Sequence, residues 1–126
     1  MIKLLVVDDE VDICDFVRKF FSERNFEVLV AYNGKEAVDI VKAEKPAIAL
    51  LDIKMPIMDG MEAVKAIRKI DEDIKLIMVT ALDDIDRAEE AKKHGVLEYI
   101  TKPLLLEQLE RIVLTVSKEI KMGSNP

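Results

Sequence analysis

The stretch "LLDIKMPIMDG", residues 50–60, decides the fold. It completes a run, Ala47-Ile48-Ala49-Leu50-Leu51, with no polar alternation, the pattern of a strand covered on both faces. Asp52 follows at once, then Met55-Pro56 and Asp59-Gly60, pairs that turn a chain rather than extend a strand. A carboxylate is therefore carried to the mouth of a core and followed by a bend. Outward from this point the same design recurs. Strands are predicted at Lys3–Val7, Glu27–Ala31, Ala47–Leu51, Lys75–Val79 and Leu97–Ile100, and helices near 11–24, 34–45, 60–70, 84–94 and 105–121. Ile13, Val17 and Phe20 repeat at helical spacing in the first helix, and Leu106, Leu109, Ile112, Val113, Val116 and Ile120 form the stripe of the last. Asn33-Gly34 and His94-Gly95 read as turn and helix-end signals. Five βα units predict an α/β fold, a doubly wound five-stranded parallel sheet with five helices spread over both faces by right-handed crossovers.

Composition narrows the chemistry. At 126 residues, half of them hydrophobic, the chain suits one domain with a real core. A net charge of −6 opposes nucleic-acid binding by this segment, because phosphate contacts need clustered Lys and Arg. No apolar run is long enough to span a bilayer, and Asp8, Asp9 and Glu10 interrupt the early apolar run that a signal peptide would need. Cys14 has no cysteine partner and lies in an amphipathic stretch, so it reads as a small core residue. A reducing cytoplasm fits this usage.

In doubly wound sheets, sites form beyond the carboxyl ends of the strands. Here the first strand ends in Asp8-Asp9-Glu10, the third in Asp52, the fourth in Thr80-Ala81 and the fifth in Thr101-Lys102-Pro103. The second ends in Tyr32-Asn33 and adds no such group, as suits an edge strand. Crowded carboxylates raise one another's pKa, and a hard divalent cation such as Mg²⁺ relieves that repulsion. A carboxylate in such a place can attack phosphorus. Lys102 and a metal would neutralise phosphoryl charge, with Thr80 and a backbone N–H completing the cradle.

With "LLVVDDE", "LLDIKMPIMDG", "LIMVTA" and "EYITKP" in this order, each at a predicted strand end, the chain resembles the receiver domains of two-component response regulators over residues 1–121. The resemblance implies a flavodoxin-like strand order of 2-1-3-4-5, as in chemotaxis receivers, and a phosphoacceptor switch rather than an enzyme acting on an outside substrate. It implies Asp52 as the phosphoacceptor and a metal ligand, Asp9 as a direct Mg²⁺ ligand, Asp8 as a ligand through water, and Lys54 as the position whose backbone carbonyl binds the metal. It implies Thr80 as the switch hydroxyl, Ala81 beside it in the phosphate cradle, Lys102 as the phosphate-binding lysine, Pro103 after a cis bond, and Tyr99 as the aromatic that turns inward. It further implies a histidine kinase or phosphotransfer protein as phosphodonor, and an output domain, partner or phosphorylation-dependent second copy on the surface of the fourth helix, fifth strand and fifth helix.

Plainer readings stand beside these. Asp9 or Glu10 can cap the first helix, Thr80 can satisfy N–H groups of the helix that follows, and Tyr99 can be half-buried packing. His94 reads as exposed and carries no phosphotransfer role. Leu105 is apolar where relatives commonly carry a polar residue, so it is local packing or an anchor for a partner beside the helix-four face. Val96 is larger than usual after the glycine and is expected to alter packing near Tyr99. An aspartyl-phosphate hydrolase of the haloacid dehalogenase kind needs an acid two residues after the nucleophile, where this chain has Lys54. A scaffold-only receiver has usually lost the acceptor, acid pair or lysine. Lys54 and Leu82, two places after Asp52 and Thr80, are the positions expected to meet an attacking water. Residues 122–126 read as a tail or the start of a linker.

Overall fold

The computed structural model describes residues 1–123. In chain order the elements are β1 (Ile2–Val7), α1 (Val11–Ser22), β2 (Phe26–Ala31), α2 (Gly34–Glu44), β3 (Ile48–Asp52), α3 (Gly60–Ile70), β4 (Lys75–Thr80), α4 (Ile85–Ala91), β5 (Val96–Thr101) and α5 (Leu106–Gly123). The strands form one parallel sheet ordered β2-β1-β3-β4-β5, with β2 at an edge.

Strand side chains alternate between two cores. Leu5, Val7, Ala49, Leu51, Leu76 and Met78 pack with α2, α3 and α4. Leu4, Val6, Ile48, Leu50, Ile77 and Ile100 pack with α1 and α5. Phe21 centres the second core, fully buried and edge-on to Phe20 and Phe26 with centroids 5.0 and 5.5 Å away. Burial of a side chain of that size is worth about 2–3 kcal/mol. Cys14 is buried in the same core, as its spacing predicts.

Local chemistry sets the helix ends. Asn33 is the N-cap of α2, its side chain accepting from the Glu36 N–H at 2.9 Å, so Asn33-Gly34 starts a helix rather than making a free turn. Asp59 caps α3 in the same way through the Glu62 N–H at 2.9 Å. Gly95 ends the α4 segment with φ 89°, the left-handed position glycine favours. Most element ends move by one or two residues from expectation, and three of the differences matter. The fourth helix has only seven α-helical residues, flanked by 3-10 turns at Leu82–Asp84 and Lys92–His94. The fifth strand starts at Val96, and a register shift opposite Leu76/Ile77 leaves Leu97 without a pairing partner. The last helix begins at Leu106 and continues to Gly123, two residues into the segment expected as tail; 124–126 lie outside the described residues.

Candidate functional site

The carboxyl ends of β1, β3, β4 and β5 meet on one rim. Parallel register places Asp52 opposite Val79 and Thr80 opposite Thr101. Oxygens of Asp8, Asp9 and Asp52 lie within 4.8 Å of one another. Asp8 and Asp52 are buried and Asp9 is exposed, so the group opens to solvent on one side. The Asp8 carboxylate accepts from the Glu10 N–H at 2.9 Å. Burial above all pushes its pKa up to about 6; the Glu10 hydrogen bond works the other way, and the charge of Asp52 adds to the rise. Glu10 is the residue before α1 and its side chain makes no cap hydrogen bond there, while Asp8 and Asp9 lie in the carboxylate cluster.

Lys102 reaches in from the end of β5. Its Nζ donates to Asp52 Oδ2 at 2.8 Å, and its backbone N–H donates to the Thr80 carbonyl at 2.8 Å. Burial works against the Lys102 charge, but the hydrogen bond and charge of Asp52, with Asp8 and Glu10 behind it, carry its pKa above the usual lysine range. The Lys102–Pro103 peptide is cis. Thr80 is fully buried, and its hydroxyl donates to the Ala81 carbonyl at 3.1 Å. It does not serve the N–H groups of the following helix, contrary to the plain reading of that residue.

The loop after Asp52 folds back over the strand end. The Gly60 N–H donates to the Ile53 carbonyl at 2.8 Å, and a Cβ at Gly60 would sit 2.2 Å from the Asp52 carbonyl oxygen. Gly34 donates to the Met58 carbonyl at 2.9 Å, and a Cβ there would lie 2.5 Å from the same oxygen. Glycine is therefore needed at both positions for close backbone approach, and the pairing of Gly34 with Met58 has no signature in the sequence.

Lys54 is exposed, with Nζ 3.4 Å from both Asp83 and Asp84. Asp83 foremost, with Asp84, holds its pKa above the usual range. Its ammonium is thus paired across to the segment after β4 and not with Asp8, Asp9 or Asp52. Arg87 of α4 donates to Asp59 at 2.7 Å. Burial works against the Asp59 charge, but the Glu62 N–H and Arg87 hold its pKa below the usual carboxylate range. Asp83, Asp84 and Arg87 carry no motif signal in the sequence. The run "DDIDR" reads as a helix start, and its cross-chain partners become visible only in three dimensions.

Tyr99 is half-buried against the core that contains Val96. A hydrogen bond to Glu89 of α4, chief among the causes, raises its phenol pKa, and Lys92 Nζ lies 5.1 Å from the ring centroid. His94 is half-buried rather than exposed. Leu105 is exposed, but it lines a groove with Phe16 of α1, Leu104, Leu106 and Arg111. The groove lies between α1 and the start of α5. The Cys14 thiol, pushed up to about 11 by burial first and the Asp8 charge second, donates to the Asp8 carbonyl at 3.2 Å and stays protonated.

A five-stranded 2-1-3-4-5 sheet with three carboxylates, a buried hydroxyl and a lysine on its rim defines a phosphorylation-activated receiver of two-component signalling. The family model for the response regulator receiver domain matches residues 4–114, and the chain belongs to that family. Family members act as phosphoacceptor switches that work with kinase or phosphotransfer partners and outputs. Sporulation initiation phosphotransferase F of Bacillus subtilis (strain 168) is 36% identical over 123 residues, covering 98% of this chain and 97% of that protein. Response regulator MprA of Mycolicibacterium vanbaalenii is 31% identical over 108 residues, 86% of this chain but 47% of its own length. The chain thus spans nearly all of the first relative and about half of the second. Among solved structures, a response regulator receiver domain protein from Clostridium thermocellum superposes with a TM-score of 0.90 at 29% identity, over 97% of this chain and 98% of that one. Among the described residues no helix is long and apolar enough to cross a membrane.

Proposed function

We propose that Asp52 accepts a phosphoryl group from a histidine kinase or phosphotransfer protein, and that the change is read by an output domain or partner. The observation that carries this is the 2.8 Å contact between Lys102 Nζ and Asp52 Oδ2 beside Asp8 and Asp9. An Asp52 oxygen attacks phosphorus, the new P–O bond forms, and the donor's P–N bond breaks with the imidazole leaving. Three clustered carboxylates, one with its pKa raised to about 6, suit a hard cation that keeps several waters. Asp9 and Asp52 would hold Mg²⁺ directly, Asp8 through water, and Lys54 through its backbone carbonyl. The ion would neutralise charge on the phosphoryl oxygens. Lys102 neutralises charge on the same group, and the Thr80 hydroxyl and Ala81 N–H donate to it.

Phosphorylation turns Thr80 from the Ala81 carbonyl toward the new dianion, and Tyr99 follows into the space left behind. The α4–β5–α5 surface then changes for an output domain, a partner or a second copy. The protein is a cytoplasmic switch, and residues 1–121 are the receiver unit. The test is mass spectrometry after incubation with acetyl phosphate and Mg²⁺. One added phosphate is expected on the parent and none on Asp52→Asn; equal labelling of the two would sink the assignment.

A further inference from the structure

Two ion pairs run in parallel from the loop after Asp52 to the segment after Thr80. Lys54 Nζ lies 3.4 Å from Asp83 and Asp84, and Arg87 donates to Asp59 at 2.7 Å. Both join a residue between β3 and α3 to one between β4 and the end of α4. We propose that Lys54 and Arg87 are positioning residues: ionic straps that hold the Ala81–Ala91 segment in its resting place and oppose the movement of Thr80. This rests on the reading of Asp52 and Thr80 above.

Packing gives the straps their weight. α3 buries Met61, Val64 and Ile67, and α5 buries Leu109, Val113 and Val116. The fully buried residues of α4 are Ala88 and Ala91, two methyl groups. A seven-residue helix between two 3-10 turns has little propensity of its own to add. Its place therefore depends on polar contacts more than does that of any long helix. Asp84 strengthens the case. Among the described residues its Oδ2 is a buried oxygen without a hydrogen-bond partner, and the Lys54 ammonium is the charge set against it. A buried carboxylate left uncompensated is costly, so the pair resists parting. The direction of the effect follows. Both straps are made while the Thr80 hydroxyl points at the Ala81 carbonyl. Contacts present in one state and strained in the other bias the equilibrium toward the first. Exposed pairs are individually weak, but two acting on one poorly packed element shift a population several-fold.

The experiment compares the parent with a Lys54→Met/Arg87→Met double variant, and with Lys54→Arg and Arg87→Lys as charge-preserving controls. Amide NMR spectra of the parent with and without beryllium fluoride and Mg²⁺ define a resting-to-activated axis. In the double variant without beryllium fluoride, amides of residues 81–95 are expected to move along that axis. The beryllium fluoride midpoint is expected to fall about fivefold, because apparent affinity scales with the competent fraction. The charge-preserving variants should stay near the parent. Amides that remain at parental positions, or an unchanged midpoint, would overturn the proposal. Hydrogen exchange separates this outcome from failure of the Asp52 reading. A parent blind to beryllium fluoride defeats that reading, whereas exchange faster in α4 but not in α1 still shows the straps, and unchanged α4 exchange refutes them.

Discussion

Lys102 Nζ donates to Asp52 Oδ2 at 2.8 Å, joining two strand ends fifty positions apart in the chain. Asp52 is 5% exposed, so the lysine compensates a carboxylate that water hardly reaches. Lys102→Met should lower stability by about 2 kcal/mol, less than for a fully buried pair because the lysine keeps some contact with solvent. Urea unfolding at neutral pH checks this. Labelling by acetyl phosphate should fall at least tenfold in the same variant, since one of the charges facing the phosphoryl oxygens is gone.

Asp8 makes stability depend on pH in the metal-free protein. Its pKa, raised to about 6, lies above the unfolded value of 3.8, so between those limits the native state binds more protons than the unfolded chain. Stability therefore falls as pH rises from about 4 to about 6 and stays low above that, by on the order of 2 kcal/mol. Asp8→Asn should flatten this slope and unfold at higher temperature at pH 7. Mg²⁺ should raise the melting temperature of the parent and do far less for the variant. A scan of melting temperature against pH, with and without Mg²⁺, measures both effects.

Gly60→Ala should cost about 2–3 kcal/mol, near the top of the range for overpacking, because the new methyl would meet the Asp52 backbone oxygen at 2.2 Å and backbone yields poorly. Since that backbone carries the acceptor, Mg²⁺ affinity should fall along with stability. Fluorescence-free calorimetry of unfolding, and Mg²⁺ titration followed by NMR, give the two numbers. A variant as stable as the parent would show that the loop stands off from the strand end.

Arg68 gathers four backbone carbonyls, those of His94, Gly95, Asp71 and Glu72, at 2.9–3.3 Å. Arg68→Ala leaves the end of α3 and the turn before β5 without their shared donor. A loss of about 2 kcal/mol is expected, the scale of hydrogen bonds to a charged group. Amide exchange should quicken at 94–96 more than at the rim of the sheet.

Leu82 is 72% exposed two places after Thr80, and it offers no hydrogen bond to a water approaching Asp52. Leu82→Glu should speed phosphate loss from the purified phosphoprotein about threefold to tenfold, far below the gain from a rigidly placed general base because the side chain is mobile. Lys54→Asn should act by a different route, because the Lys54 ammonium is occupied by Asp83 and Asp84. Unchanged phosphate loss in Leu82→Glu would remove that position from control of the lifetime.

The sequence by itself determined the layers of this protein and the rim of its site. Unbroken apolar runs at Leu4–Val7, Ile48–Leu51 and Leu76–Val79 demand cover on both faces, and each run is local, so one sequence window suffices to read it. Asp8, Asp9, Asp52, Thr80 and Lys102 each stand where a strand runs out, so parallel strands bring them together once the topology is known. Tertiary structure alone decided which groups face each other across loops. Gly34 against Met58, Arg87 against Asp59, Lys54 against Asp83 and Asp84, and Leu105 beside Phe16 join residues whose separation in sequence carries no period. The brevity of α4 was hidden for a related reason. Its polar face reads as helix by composition, but two buried alanines anchor it weakly, and its ends tighten into 3-10 turns. Periodicity reports the burial of a single element, whereas an ion pair or a close backbone approach depends on where two elements come to rest, and that is set by the packing of the whole domain.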